Sequence, residues 1–148
     1  MSAYNQIIQP SRHTSLLHLP IAGPTMGTCA YRIGFIGDWV DRMDRGLLGK
    51  VLEQRSFEPQ LNASLQSSHG TALVRSLLKQ KLDADYPVDY QRVILASLTG
   101  QCEFKRQTQL KLAVRWLLDQ QVAAIFFQHR WIDLSEMQRF VGMQLVNP

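Results

Sequence analysis

The chain has 148 residues, 45% of them hydrophobic and 19% charged, which are ordinary values for a globular domain and exclude a disordered or fibrous chain. No apolar run approaches the ~18 residues that a membrane span needs, and the N-terminus lacks the basic and apolar regions of a secretion signal, so we expect a cytoplasmic protein without membrane contact. The net charge of +4 and the pI near 9.3 mildly favour an acidic partner.

Residues 1–30 are predicted to form an irregular N-terminal arm, and residues 31–148 a single helical domain. The arm is interrupted too often for a long helix, because Pro and Gly recur through it. The interrupting residues are Pro10, Pro20, Gly23, Pro24 and Gly27. Such an arm can drape over the domain or reach a protein partner.

Residues 28–35 fit two structures. Apolar and small or polar residues alternate there, which is typical of a strand, but Ile33, Ile36 and Val40 also keep helical spacing into the following segment. We favour a helix from about Gly37 and leave open a short β-hairpin before it, with residues 16–21 as the second strand. The segment 38–54 carries an apolar stripe at helical spacing and is predicted to be the first long helix.

Four further helices are predicted after a Ser- and Asn-containing linker at residues 56–70. Their approximate ranges are 70–84, 88–98, 106–129 and 134–145. The third of these has no internal Gly or Pro and becomes apolar on every side after Asp119, so we expect it to be the central helix. Asp133, with Glu136 three residues later, resembles a capping box at the start of the last helix. The fold prediction is therefore an all-α, single-domain bundle of about five helices.

Sequence motifs for catalysis and metal binding are missing. There is no Gly-rich phosphate loop, nucleophile elbow or HExxH sequence, and the pair His129 and Asp133 lacks a placed nucleophile. Cys29 and Cys102 are too few for a disulfide framework, and the Cys and His residues do not have zinc-type spacing. We therefore expect no enzymatic activity, no metal and no cofactor.

A helix-turn-helix motif fits residues 88–117 only in part. Ala96 and Gly100 match the small residue and the turn glycine, but Arg106 and Gln109 stand where two buried apolar residues are needed. A longer turn would restart the second helix near Phe104, so a helix that enters a DNA groove stays an alternative.

The segment 92–115 carries the only concentration of basic residues, with five Lys or Arg against one acid. Cationic and amide side chains in the first turns of a helix suit phosphate, because the positive end of the helix adds to their charge. The candidate nucleic-acid-binding residues are Arg92, Lys105, Arg106, Gln107, Thr108, Lys111 and Arg115.

The leading functional hypothesis is a small nucleic-acid-associated regulator, or a subunit of a complex that handles DNA or RNA. The alternative is a protein–protein adaptor or structural subunit of a larger assembly, of phage or secretion type. Its partner would bind through the N-terminal arm or through the aromatic residues of the last third of the chain.

Overall fold

The computed structural model describes residues 7–11, 14–19, 30–58, 68–98 and 103–146. In these ranges the chain forms six strands and three helices. The strands are β1 (Ile7–Ser11), β2 (Thr14–His18), β3 (Tyr31–Gly37), β4 (Val51–Ser56), β5 (Gln91–Ser97) and β6 (Ala124–Phe127). The helices are α1 (Ser68–Lys79), α2 (Glu103–Asp119) and α3 (Leu134–Val146), and a single 3₁₀ turn, Val88–Tyr90, precedes β5.

All six strands belong to one mixed sheet in the order β1-β2-β6-β3-β5-β4. The four strands β6, β3, β5 and β4 run parallel, whereas β2 is antiparallel to both β6 and β1. The prediction of an all-α bundle of five helices is therefore wrong, and the protein has an α/β fold.

The helices cover both faces of the sheet. Helix α1 packs on one face, where Val74, Leu77 and Leu78 meet the core-facing residues Ile33, Phe35, Val93, Leu95 and Phe126. Helices α2 and α3 pack on the other face against Ile36, Ile94, Ala96, Ile125 and Phe127. Because β3 and β5 are buried on both faces, their sequences are apolar almost without alternation.

The predicted central helix over 106–129 is wrong in its second half. Helix α2 ends at Asp119, the chain turns through Gln121 with a positive φ of 58°, and Ala124–Phe127 is β6. A short run that is apolar on every side fits a buried strand and a buried helix equally well. Here the run lies between two strands, and all four of its residues are buried.

Two other predicted helices are also wrong. Residues 88–98 form the 3₁₀ turn and β5, whose buried apolar residues fit a strand as well as a helix. Residues 38–50 form a series of turns before β4. In those turns Asp41 and Asp44 accept backbone hydrogen bonds from Met43 and Gly46, and Gly49 adopts a φ of 77°.

Two of the predicted helices are present. Helix α3 corresponds to the helix predicted over 134–145, whereas α1 occupies Ser68–Lys79, so the helix predicted over 70–84 ends five residues earlier than expected. The Glu136 amide donates to Asp133 Oδ1 at 3.2 Å, as the capping pattern predicts.

The irregular arm and the hairpin alternative need correction. Residues 7–11 and 14–18 of the arm form β1 and β2, and β2 does not pair with β3 because β6 lies between them. None of the described helices has the length and apolar character to cross a membrane.

Candidate functional site

The carboxyl ends of β3 and β6 lie side by side at one edge of the sheet. After β3 the chain passes to the face of α1, where Val40 and Leu47 are buried. After β6 it continues to α3 on the opposite face. Two neighbouring parallel strands whose connections leave to opposite faces open a crevice between them, and this crevice is the usual position of ligand sites in open α/β sheets.

The side chain of Gln128 joins the two strand ends in this crevice. Its Oε1 accepts a hydrogen bond from the Asp38 amide at 2.8 Å, and its Nε2 donates to Asp38 Oδ2 at 2.9 Å. Its own amide donates to the Ile36 carbonyl at 3.0 Å, which continues the ladder between β6 and β3 by one residue. Gln128 is 6% exposed, so both ends of its amide group are used inside the protein.

Gly37 leaves the space through which Gln128 reaches Asp38. A Cβ atom at position 37 would lie 2.2 Å from Gln128 Oε1 and 2.7 Å from Gln128 Cβ. Such distances are far shorter than van der Waals contact. The glycine at the end of β3 is therefore a condition for the contact between the two strand ends.

His129 completes the cluster. Its Nε2 lies 3.2 Å from Asp38 Oδ1, close enough for an ion pair, although the atoms do not meet the angular criteria of a hydrogen bond. The two side chains are 22% and 20% exposed, and the Nε2 atom itself is buried. The imidazole also stacks on Trp131, with ring centroids 6.2 Å apart and planes at 13°.

The first turn of α1 meets the same edge of the sheet. The Asp41 amide, three residues after Asp38, donates to Thr71 Oγ1 at 3.0 Å. His69 precedes Thr71 by two residues and is exposed. The edge thus combines a carboxylate, an amide and an imidazole with a helix N-terminus. We call Asp38, Gln128 and His129 the edge cluster.

No group of three or more His, Cys, Asp or Glu side chains within the described ranges could hold a metal ion. His13, Cys29 and Cys102 lie outside those ranges.

The outer side of α2 carries most of the predicted nucleic-acid-binding residues. Thr108, Lys111 and Arg115 are exposed, and Gln107 is half-buried. Lys105 and Arg106 lie in the first turn, but their side chains fall outside the described part of the chain. The opposite side of the helix is buried, as the sequence predicted, by Leu110, Ala113, Val114 and Leu117.

Two of these cations have close neighbours. Arg115 Nε lies 3.8 Å from Asp119 Oδ1, and its guanidinium also donates to Gln144 of α3. Lys111 Nζ lies 5.9 Å from the ring centroid of Phe140. The charge of Arg115 is therefore partly balanced within the protein.

Arg92 lies apart from the start of α2. It stands near the amino end of β5, where its guanidinium donates to the carbonyls of Asp89 and Gln91 at 2.6 and 2.8 Å. Helix α2 starts beyond the carboxyl end of β5, so most of the length of that strand separates Arg92 from Lys105 and Arg106. The structure brings Thr108, Lys111 and Arg115 onto one helix side but does not bring Arg92 to the helix start.

The edge cluster was not predicted from the sequence, because its residues were assigned to other elements and pairs. His129 was paired with Asp133, and Asp38 was predicted to lie at the start of a helix over 38–54. The available signal was that Asp38 and Gln128 each follow an apolar run within one or two residues. If those runs are interpreted as parallel strands, their ends meet at one edge of a sheet.

The structure defines an α/β protein with a polar cluster at the carboxyl edge of its parallel strands. Comparisons with protein-family models, with curated proteins and with solved structures found no significant match.

Proposed function

We propose that the edge cluster is the proton-transfer site of an enzyme, in which His129 is the general acid–base group. The observation that supports this proposal is the 3.2 Å contact between His129 Nε2 and a carboxylate that Gln128 holds in place. In this proposal Asp38 and Gln128 are positioning residues, because they act through His129.

The chemistry of the three groups fits this assignment. Imidazole is the side chain whose ordinary pKa lies closest to neutral pH, so it can accept and return a proton in one reaction cycle. A carboxylate beside it fixes the ring and stabilises the imidazolium that forms when the proton is accepted. Gln128 donates to Oδ2 of Asp38, and Oδ1 lies 3.2 Å from His129 Nε2.

The substrate class we favour is one that water can cleave, such as an ester, a phosphoester or a peptide bond. These reactions need a proton removed from the attacking group and returned to the leaving group, and one imidazole can do both. Nε2 of His129 is buried against Asp38, so in this proposal the other ring nitrogen, Nδ1, exchanges the proton with the substrate. The His129 side chain is 22% exposed, which supports access to the ring from solvent.

The test is an assay of the purified protein on chromogenic esters, phosphoesters and peptides. We expect at least one class to be hydrolysed, and we expect His129→Gln to reduce kcat/KM by roughly 100-fold or more, the range for loss of a general base. Asp38→Asn should lower the rate and change its pH profile. The substitution keeps the imidazole but removes the carboxylate charge that orients the ring and stabilises its protonated form.

The matched control is Arg139→Gln, an exposed substitution on α3 that should leave the rate unchanged. An unchanged kcat/KM in His129→Gln would contradict the proposal. A wild-type protein that hydrolyses none of the three substrate classes would also contradict it.

A second candidate function is binding of nucleic acid by the outer side of α2. The observation that favours it is the exposure of Thr108, Lys111 and Arg115 along one helix side. In this hypothesis, binding to a mixed-sequence duplex or single strand weakens steeply with salt. The double substitution Lys111→Glu/Arg115→Glu should abolish it, and binding that is insensitive to salt or to this substitution would contradict it.

A further inference from the structure

Strand β4 ends the sheet, and within the described ranges no strand pairs with its outer side. The Phe57 amide, just after β4, donates to the Ser97 carbonyl of β5. Backbone groups of alternate residues face opposite sides of a strand. Glu53 and Arg55 lie four and two residues before Phe57, so they direct their amides and carbonyls towards β5 as well. Gln54 and Ser56 therefore direct their amides and carbonyls outward, where a further strand can bind them.

Glu53 and Arg55 make this edge complementary to itself. Both side chains are exposed, and both lie on the face of the sheet that α2 covers, because their partners Ile94 and Ala96 belong to that core. If two β4 strands run antiparallel about a two-fold axis at Gln54, Glu53 of each copy stands opposite Arg55 of the other. Opposite charges directly across a strand pair stabilise that pair, and the symmetry supplies the contact twice.

The side chain of Arg55 lies over two aromatic rings. Its guanidinium carbon lies 5.2 Å from the ring centroid of Phe57 and 5.9 Å from that of Trp116. Two aromatic neighbours restrict the rotamers of the arginine, so less side-chain entropy is lost when an acidic partner binds it.

The other face of the same edge is apolar and open. Two large apolar side chains stand exposed just before β4: Met43 at 74% and Leu48 at 53%. Met43 and Leu48 line an open groove of about 470 Å³ together with Val51 and Gln54 of the strand. A second strand beside β4 would cover part of this surface, which is costly to leave in water.

We propose that the protein forms a symmetric homodimer in which the β4 strands of two copies pair antiparallel and join their sheets. The irregularity between Val51 and Glu53 limits the regular part of the edge to residues 53–56, so the pairing is short and is centred on Gln54. The charge pattern then selects a second copy of the same strand over other extended chains.

The experiment measures oligomeric state by light scattering after size exclusion and by sedimentation at micromolar concentrations. The wild-type protein should be a dimer. Glu53→Arg should weaken dimerisation by roughly tenfold or more, because it places two arginines opposite each other at two symmetric positions. Arg55→Glu should do the same with two glutamates.

Mixing the two single variants gives the sharpest readout. In a mixed dimer, the arginine introduced by Glu53→Arg in one copy faces the glutamate introduced by Arg55→Glu in the other. At the second contact the unchanged Arg55 of the first copy faces the unchanged Glu53 of the second. Both contacts then join opposite charges, so an equimolar mixture should recover dimers that neither variant forms alone. The double variant Glu53→Arg/Arg55→Glu should also dimerise.

Arg139→Glu, an exposed charge reversal on α3, is the control and should stay dimeric. A monomeric wild-type protein, or single variants that dimerise as well as the wild type, would overturn the proposal and leave the edge to a different partner. Because Arg55 also contacts aromatic rings, the Glu53→Arg result decides the outcome if Arg55→Glu fails to fold.

Discussion

Gly37 and Gln128 depend on each other although they lie far apart in the chain. The glycine provides the gap at the end of β3, and the glutamine fills it with an amide group that binds both the backbone and the carboxylate of Asp38. Neither residue is informative alone, because glycine is common at strand ends and glutamine is common on surfaces. Their contact forms only because β3 and β6 are neighbours in the sheet.

Gly37→Ala should destabilise the protein by about 1–3 kcal/mol, the range for overpacking a filled site. The added methyl group would displace Gln128 and break its hydrogen bonds to Asp38. Urea denaturation of the wild type and the variant measures the difference.

Gly142→Ala is the control for this substitution. A Cβ atom at Gly142 meets nothing within 4 Å, and alanine favours the helix by up to about 1 kcal/mol. The same chemical change should therefore have opposite signs at the two glycines, and equal effects would show that Gly37 is not a packing requirement.

His18 makes the stability depend on pH. Burial lowers its pKa below the ordinary value of 6.5, and the carboxylate of Asp83 offsets part of this effect. Its Nε2 has no hydrogen-bond partner within the described part of the structure. The unfolded chain therefore binds a proton at a higher pH than the folded chain does.

The free energy of unfolding should consequently fall as the pH drops below about 6.5, where the unfolded state takes up the proton first. We expect His18→Gln to flatten this dependence between about pH 7.5 and 5. Urea denaturation across that range measures it, and equal slopes for the wild type and the variant would contradict the assignment to His18.

At the scale of elements, helix α2 is the segment whose buried and exposed sides were predicted best, although the predicted helix continued beyond its end at Asp119. Its buried stripe and exposed side are as predicted, since helical spacing between Leu110 and Leu117 has a single interpretation. The next segment, Val122–Phe127, has no polar side, so periodicity could not distinguish a strand from a helix. The helix predicted at 88–98 failed for the same reason, whereas the one predicted at 38–54 failed because aspartate and glycine turns divide that segment.

Leu117→Ala should lower the free energy of unfolding by about 2–5 kcal/mol, because Leu117 is fully buried and packs against β3 beside Gly34. Leu112→Ala on the same helix is the matched control. Leu112 is 51% exposed, and its truncation should change the stability by less than about 0.5 kcal/mol. Thermal or urea unfolding of both variants compares the two sides of α2 directly, and similar losses would contradict the packing described for it.

At the scale of the whole molecule, the strand order is what the sequence could not predict. Sequence patterns report burial and period within one segment, but they do not report which segments become neighbours. The edge cluster depends on that missing information, because Asp38 meets Gln128 and His129 only when β6 is placed beside β3. The outer side of α2, which needs only one helix, was accessible to sequence analysis, and its role in binding nucleic acid stays a prediction.

Hydrogen exchange should follow this strand order. The amides of β3 and β5 are paired on both sides and buried under helices, so they should exchange only through global unfolding. The outward amides of Gln54 and Ser56 in β4 should exchange much faster in monomeric protein. Exchange followed by mass spectrometry at peptide resolution tests this, and equal protection of β4 and β5 in a monomer would contradict it.

The pairing of β2 with β6 has a consequence for biosynthesis. Leu16 is synthesised well before Phe126, its neighbour across the ladder. Until β6 is synthesised, β2 and β3 each have one side whose backbone groups lack their partner strand. A strand with an unpaired side is a target for chaperones and for aggregation. The sheet can therefore close only after β6 has been synthesised, and a product that stops before Ala124 would keep β2 and β3 without the strand that lies between them.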